Sequence, residues 1–527
     1  MKYPSGRLLF LFFSLVLLLL SGSVLGSAGA SSEPEGFIMS DITDSRTELS
    51  SLQKPLFFDQ TELVFDDSSN RFLWSVSSSQ FESLLSPAVR TEELSDAVLI
   101  LTDSLPGLLD LRQSPSVGFV IYDDSRYYMG NVVITTLPIV RIFCDEFIGD
   151  EYVKGKIQVW DPDSAALTES ETLLKIRGGN TRKFSKNSYR ISLKNSDYSK
   201  KNKVSFLNMR NDDDWILYPA YNDQEKVRNV FCSNLWLETC GAKNWKGVRN
   251  GSEYKYCELF INNTYWGLYA LGNPTDKKEI ITDNEKAVLF KKLNWSDEMM
   301  DIESSDLVMP GYEINNATGK YAENEDLCWE LLREYYQFLR DNRNNSDALL
   351  SRIDVESFSH VSIFLNLVQG WDNGANNTGI KNEYLCLTEK DGNIISMMTP
   401  WDLDFTFGNG WVEDIDKNNT IPYCYTSDMN MPFRHGYLGQ ILENNDTDLA
   451  DIIRKDYWEL REGSWSDEHI NELIDQYEKE IYGSGAFVRE VERWPFCTSN
   501  NPEEGLSVFR QYVMERLQAC DLYYALP

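Results

Sequence analysis

The chain has 527 residues and a formal net charge of −32, with 50 Lys and Arg against 82 Asp and Glu. This charge argues against a nucleic-acid partner, because a polyanion would be repelled unless the protein segregated a basic face. A hydrophobic content of 42% and an aromatic content of 13% can fill a large interior, and the length predicts two or more packed units.

The first 30 residues have the pattern of an export signal. Lys2 and Arg7 precede an apolar run over residues 8–20, and small residues follow as far as Ala30. This order of features is typical of a cleaved signal peptide. An uncleaved anchor is the alternative, but the run is shorter than the ~20 apolar residues that span a bilayer. We therefore expect a secreted or cell-surface protein without a membrane span after cleavage.

The cysteines and histidines give no metal motif. Nine cysteines are spread singly along the chain without a Cys-x-x-Cys pair, which argues against a structural zinc site. Export would permit disulfides, but the number is odd and the sequence does not give their connectivity. The three histidines have no neighbour that would complete a metal pair or a dyad. Any acid–base chemistry is therefore expected to rest on carboxylates.

The N-terminal half predicts mainly β-structure. Residues 31–130 contain short apolar runs between turn residues, which predicts a small β-rich module. Over residues 131–300 we expect successive strands at 137–142, 156–160, 173–177 and 188–193. A hairpin is predicted at 256–269 with its turn at Asn262 and Asn263, and a helix is predicted between Asn222 and Glu238.

Residues 301–527 predict a helical half. Asp354 is a natural N-cap before apolar residues at helical spacing, and Ser466 and Asn501 precede two further helical patterns. A β-rich half followed by a helical half predicts an α+β protein with two lobes, preceded by the small β-rich module.

A basic segment stands out in this acidic chain. From Lys175 to Lys203 there are ten Lys or Arg and one acidic residue, Asp197. Within it, Arg177-Gly-Gly-Asn-Thr181 predicts a loop between two strands, where backbone N–H groups and basic side chains can hold an anion. A solvated strand–turn–strand surface is the alternative.

Acidic residues farther along form a second pattern. Asp402 and Asp404 are spaced at i and i+2, so on an extended segment both would point to one side and could bind one hard cation. Asp372 follows the helix after Asp354, and Asn382 follows ten residues later. An acid, an Asn and a later acid in this order are typical of phosphoryl transfer. By contrast, Asp212-Asp-Asp214 is expected to be a solvated turn.

Taken in order, these motifs resemble the CotH kinase family over roughly residues 137–410. The residues that carry the resemblance are Arg177-Gly-Gly-Asn-Thr181, Lys186-Asn-Ser-Tyr-Arg190, Asp214-Trp-Ile-Leu217, Val227-Arg-Asn229, Glu258-Leu-Phe-Ile261, Gly267-Leu-Tyr269, Leu289-Phe-Lys291 and Pro400-Trp-Asp-Leu-Asp404 with Gly408. The order of the blocks is specific, although each block alone is not.

The resemblance implies an atypical, kinase-like fold and a secreted or surface enzyme that transfers the γ-phosphoryl group of ATP to Ser or Thr of a partner protein, with Mg²⁺ or Mn²⁺. It implies these roles: Arg177, Asn180, Lys186 and Arg190 in nucleotide binding, Asp372 in catalysis, and Asn382, Asp402 and Asp404 in metal binding. The family usually has Glu at the position of Asn273. This departure keeps open a non-catalytic alternative, a surface adhesin or an envelope or coat assembly module of the same fold.

Overall fold

The structure is a computed structural model that describes residues 39–81, 87–282, 285–295, 302–303, 306–374, 380–414, 419–423, 439, 447–497 and 501–525. The predicted signal peptide lies outside these residues. Within them, none of the helices combines the length and the apolar character needed to cross a membrane.

The N-terminal part forms two β-sheets with short helices. Its elements are α1 (Met39–Thr43), β1 (Thr47–Glu48), β2 (Leu56–Phe58), β3 (Thr61–Glu62), β4 (Val64–Asp66), β5 (Arg71–Ser75), α2 (Ser78–Phe81), β6 (Val89–Thr91), β7 (Val98–Leu101), β8 (Ser116–Tyr122) and β9 (Arg126–Thr135). The larger sheet has the order β4-β5-β9-β8-β7 with β1 beside β9, and the smaller one has the order β3-β2-β6. Strand β9 runs across residue 130, the boundary expected from the sequence.

A closed barrel follows. In chain order, its strands and the helix that follows β14 are β10 (Ile139–Phe143), β11 (Val153–Asp161), β12 (Ala166–Arg177), β13 (Ser188–Lys194), β14 (Asp214–Tyr218), α3 (Arg228–Thr239), β15 (Tyr254–Ile261) and β16 (Thr264–Gly272). The order is β10-β11-β12-β13-β14-β16-β15, and β15 closes the barrel by pairing in parallel with β10. Ile157, Leu174, Trp215 and Leu259 are almost fully buried in its core, as alternation along each strand requires.

Two local predictions in the barrel have different outcomes. The hairpin β15–β16 is confirmed, with Asn262 and Asn263 both at positive φ (48° and 61°), the conformation that a tight hairpin turn needs. The predicted helix from Asn222 begins six residues late, at Arg228. The Asp223 carboxylate accepts hydrogen bonds from the N–H groups of Val227 and Arg228 and holds the preceding segment as a loop.

The remainder of the chain mixes helices and strands. Its elements are α4 (Lys277–Ile280), β17 (Ala287–Lys292), β18 (Tyr312–Ala317), α5 (Glu325–Asp341), α6 (Ser346–Leu350), α7 (Val355–Val368), β19 (Glu383–Lys390), β20 (Asn393–Pro400), β21 (Gly410–Asp414), β22 (Asn419–Tyr423), α8 (Thr447–Arg461), α9 (Asp467–Glu478), α10 (Ala486–Arg493) and α11 (Ser507–Tyr523). Strands β17 to β20 form one sheet of order β18-β17-β19-β20, so the half that the sequence predicts to be helical also contributes strands. The mixed α+β class is confirmed.

Helix α7 is the centre of the helical part and leads into the candidate site. Its inner residues Phe364 and Leu365 are almost fully buried in the largest apolar cluster, which also includes residues of α3, α5 and α11. The buried guanidinium of Arg516 on α11 donates hydrogen bonds to the Asn366 carbonyl (2.6 Å) and to its side-chain oxygen (2.7 Å). A cation at a helix C-terminus satisfies carbonyls that have no partner within the helix. This contact fixes the end of α7 just before Asp372.

Candidate functional site

A cleft of about 990 Å³ is lined by residues of the basic segment and by the acidic residues that the sequence predicts as a cation site. One set of lining residues comes from β12, β13, β14 and the loop after β12. The other comes from β17, β18, the segment around Asp372 and the turn after β20. Ten Lys or Arg and six Asp or Glu line the cleft, so it is net positive in a protein of net charge −32. A local cationic concavity of this kind attracts anionic ligands.

The glycine loop begins where β12 ends. Gly178 has φ 113°, and a Cβ atom there would lie 2.2 Å from the Thr181 hydroxyl oxygen, so the turn requires glycine. The guanidinium of Arg177 lies 5.9 Å from the Trp401 ring centroid and lines the cleft. Arg190 is half exposed and 3.7 Å from Asp214. The side chain of Asn180 lies outside the described part of the structure.

The resemblance implies that the Lys186 ammonium contacts a nucleotide phosphate. In the structure, protein acceptors enclose this ammonium instead. It is 1% exposed, and its ammonium donates to the carbonyls of Pro219 (2.7 Å) and Leu268 (2.6 Å) and to the Glu490 carboxylate (2.6 Å). These three acceptors use all three N–H donors of a lysine. Burial lowers the pKa of Lys186, while the Glu490 charge opposes that shift. Lys186 therefore joins the barrel to α10.

Asp372 and Asn382 lie together at one side of the cleft. The Asp372 carboxylate accepts hydrogen bonds from the Lys381 ammonium (2.5 Å) and the Asn382 amide (2.9 Å). Asn382 is almost fully buried and has φ 54°, a left-handed conformation that Asn tolerates better than most residues. Its amide also donates to the Asp372 carbonyl (3.2 Å). Asp372 is thus held in one orientation while it lines the cleft.

Asp402 and Asp404 also line the cleft, but on a turn rather than on an extended segment. Asp402 has φ 60°, so the i, i+2 geometry expected for a strand is wrong. The Asp404 carboxylate accepts a hydrogen bond from Asn222 (2.8 Å), and Asn229 on α3 accepts one from the Leu403 N–H (3.0 Å). The position of the two carboxylates therefore depends on contacts from outside the turn.

The three carboxylates of the cleft influence one another electrostatically. Burial raises the pKa of Asp404 well above its ordinary value, and the charges of Asp402 and Asp372 raise it further. Burial and Asp372 also raise the pKa of Asp402, although Arg177 opposes this shift. Uncompensated negative charge at this point would be relieved by a cation.

The donor set fits Mg²⁺ better than a metal that needs many protein ligands. In the part of the chain that the structure describes, no group of three or more His, Cys, Asp or Glu is arranged to hold a metal ion. Mg²⁺ usually keeps several waters and binds through one or two carboxylates together with substrate phosphates. Asp402 and Asp404 are such a pair, and the basic residues across the cleft suit the phosphates.

Two lysines were missed by the reasoning from sequence. Lys291 on β17 lies 3.7 Å from the Trp401 ring centroid, and burial, then Arg177, lower its pKa. Lys381 pairs with Asp372 as described above. Lys291 stands in the block Leu289-Phe-Lys291 and Lys381 directly precedes Asn382, so both had a sequence signal. The pairing of β17 with β19 places Lys291 opposite Tyr384, and both residues line the cleft.

The acidic run at 212–214 is not a solvated turn, contrary to the prediction. Asp212 and Asp213 are at most 1% exposed. Arg210 donates to Asp212 (2.7 Å), and Lys201 lies 2.6 Å from Asp213, with Lys278 bridging both acids. This network holds the start of β14 in place, and it uses Lys201, one of the cations of the basic segment.

Asn273, the departure from the family pattern, lies beside the cleft without lining it. It is 1% exposed, and its side-chain oxygen accepts a hydrogen bond from the Glu253 N–H (3.2 Å). Its amide donates to the carbonyls of Gly251 (3.4 Å) and Pro274 (3.3 Å). The amide thus supports the loop before β15, where a carboxylate could not donate these bonds.

A family model described as CotH kinase protein matches residues 174–520 of this chain. The match begins within β12, includes every residue of the candidate site and ends in α11, whereas the N-terminal sheets lie outside it. No curated protein matches the chain.

Proposed function

Because the chain belongs to the CotH kinase family, we propose that it is a secreted or cell-surface protein kinase that transfers the γ-phosphoryl group of ATP to Ser or Thr of a partner protein. The observation that carries this proposal is the single cleft in which Arg177, Arg190 and Lys291 accompany Asp372, Asp402 and Asp404. Phosphoryl transfer needs cations for the phosphates, carboxylates for the metal and one carboxylate for the acceptor hydroxyl.

Each of these groups has a role in the proposal. ATP would supply the γ-phosphoryl group and leave as ADP, and Mg²⁺ or Mn²⁺ bound with it would neutralise the charge of the phosphates. Asp402 and Asp404 hold the cation, with Asn382 beside them. Asp372 accepts the proton of the acceptor hydroxyl, and the hydrogen bonds from Lys381 and Asn382 keep its carboxylate oriented toward that proton. The kinase-like arrangement of two lobes around the cleft is part of the same proposal.

Lys291 replaces Lys186 as the lysine that we assign to the phosphates. Lys291 lines the cleft next to Arg177, and no hydrogen bond or ion pair to another described residue occupies its ammonium. Its proximity to Trp401 places it beside the Asp402 turn. We assign Arg177 and Arg190 to the same phosphates, and Lys186 to support of the barrel.

A second candidate is a non-catalytic surface adhesin or an envelope or coat assembly module. Lys186 is buried, and protein acceptors occupy its three N–H donors. This favours the non-catalytic candidate, because the phosphate contact that the resemblance implies for Lys186 is then missing. The two candidates differ in turnover rather than in fold.

Phosphoryl transfer from labelled ATP to casein, with Mg²⁺ or Mn²⁺, tests the proposal. We expect incorporation by the wild type and a loss of about 100-fold or more in Asp404→Asn, the size of effect seen when charge stabilisation is removed from a site. Asp197→Asn, which changes an exposed acid outside the cleft lining, is the matched control and should keep wild-type activity. Equal incorporation by wild type and Asp404→Asn would refute the kinase, and ATP binding without turnover would favour the second candidate.

A further inference from the structure

Tyr218 has a buried hydroxyl group for which the described structure provides no hydrogen-bond partner. The residue ends β14 and lines the cleft together with Asp402 and Asp404. A buried, unsatisfied hydroxyl is costly to a folded protein, so its presence calls for an explanation.

The surroundings of this hydroxyl are acidic. After burial, the charges of Asp404, Asp223 and Asp402 are the causes that raise the pKa of Tyr218 well above its ordinary value. The hydroxyl therefore keeps its proton. It lies near these three carboxylates, but no hydrogen bond within the described structure joins it to them.

Space for one bridging water adjoins Tyr218. A small cavity of about 20 Å³ is lined by Tyr218, Asp402 and polar residues of α3, including Asn229 and Ser233. A cavity of roughly 10–15 Å³ or more with two to four polar partners can hold a water molecule. A water in this cavity would have Tyr218 and Asp402 among its polar neighbours.

We propose that Tyr218 is a positioning residue for the cation site: its hydroxyl binds one water that also contacts Asp402, and it thereby orients this carboxylate toward the cation. This inference rests on the proposed function, since it concerns the cation of that site. Removal of a group that hydrogen-bonds a metal ligand usually lowers the affinity for the metal by about 10- to 100-fold.

Tyr218→Phe removes the hydroxyl alone and gives two separable readouts. Titration of Mn²⁺, followed by the electron paramagnetic resonance signal of the free ion in the absence of nucleotide, should show a dissociation constant about tenfold above wild type. The midpoint of thermal unfolding without metal should change little, because the lost hydroxyl is bonded to a water rather than to another group of the protein. Tyr335→Phe, which changes a buried phenol bonded to Ser396 outside the cleft lining, is the control and should bind Mn²⁺ as the wild type does.

The outcomes separate this inference from the proposed function. Equal Mn²⁺ affinity in wild type and Tyr218→Phe would overturn the inference and leave the kinase proposal intact. Weaker binding only in the presence of ATP would also overturn it, since the hydroxyl would then act on the nucleotide. A wild type that takes up no Mn²⁺ without ATP would overturn the inference alone, and one that takes up none with ATP either would overturn both.

Discussion

At the scale of single residues, the two lysines of the cleft differ in their surroundings. Lys186 is enclosed by three acceptors, and Glu490 uses its second oxygen to accept a hydrogen bond from the Leu268 N–H (2.9 Å). Lys291 instead lies against an aromatic ring, where a cation is attracted to the ring face. The ammonium of Lys186 is therefore occupied by protein acceptors, whereas that of Lys291 is available to a ligand.

Removing the buried partner should destabilise the fold. We expect Lys186→Met to lower the free energy of unfolding by about 3–5 kcal/mol, because Glu490 would remain charged and buried without its cation. Denaturant unfolding measures this change. The double variant Lys186→Met with Glu490→Leu should recover part of the loss. A cost below about 1 kcal/mol for the single variant, as for an exposed ion pair, would contradict the argument.

Removing the other lysine should affect ligand binding instead. We expect Lys291→Met to raise the dissociation constant of ATP about tenfold, the effect of losing a charge-assisted hydrogen bond of ~1.4 kcal/mol. Its thermal unfolding midpoint should stay close to wild type, since no hydrogen bond or ion pair within the described structure is lost. Thermal-shift titration with ATP and Mg²⁺ measures both quantities. Lys183→Met, an exposed lysine of the glycine loop, serves as control, and unchanged ATP affinity in Lys291→Met would remove Lys291 from the site.

At the scale of elements, α7 depends on a buried acid at its start. The Asp354 carboxylate accepts a hydrogen bond from the Trp245 N–H (2.9 Å) and is 5% exposed. Burial raises its pKa to about 6, despite that hydrogen bond. The helix that carries the chain to Asp372 thus begins at a group that titrates in a mildly acidic range.

The sign of the resulting pH dependence follows from the raised pKa. The folded protein binds this proton more tightly than the unfolded chain, whose Asp has a pKa of about 3.9. The protonated Asp354 carboxyl therefore contributes fully to the free energy of unfolding below about pH 4. This contribution, ~3 kcal/mol in total, is lost as the pH rises through about 6. The unfolding free energy of the wild type should therefore fall relative to that of Asp354→Asn as the pH rises from about 4 to about 6. Asp347→Asn, which changes an exposed acid of α6, is the control, and a flat difference for Asp354→Asn would contradict the prediction.

At the scale of the whole molecule, the N-terminal sheets are bound to the rest of the chain. Val64 and Val133 share an apolar cluster with Phe260 and Tyr265 of the barrel. The Arg489 guanidinium on α10 pairs with the buried Glu258 of β15 (2.5 Å) and donates to the Ser114 hydroxyl (2.8 Å). The region outside the family match is therefore packed against the helix that holds Lys186.

Deletion of the N-terminal sheets should destabilise the part that remains. A chain that begins at residue 136 would expose the shared cluster and remove the Ser114 contact to Arg489, so we expect a lower thermal midpoint or insoluble protein. Arg71→Ala is the control, because its pair with Glu492 is partly exposed and such pairs contribute ~0–1 kcal/mol. A truncated protein with the midpoint of the full chain would contradict this expectation.

The sequence alone predicted the local features and the family. The hairpin turn at Asn262 and Asn263, the helix after Asp354 and the helix after Ser466 depend on neighbouring residues, so short patterns suffice for them. The family was recognised from the order of its motifs and is confirmed by the match over residues 174–520. The presence of Arg177, Asp372 and Asp402 in one cleft had been expected from that resemblance, and the structure brings them together.

Only the tertiary structure decided how each charge is used. Whether Lys186 faces a phosphate or three protein acceptors depends on Glu490, which is 304 residues away along the chain. The pairing of β17 with β19 and the burial of Asp212 likewise depend on contacts between distant segments. A sequence pattern shows which side chains can carry charge, but the partner and the dielectric surroundings that determine its function are set by packing.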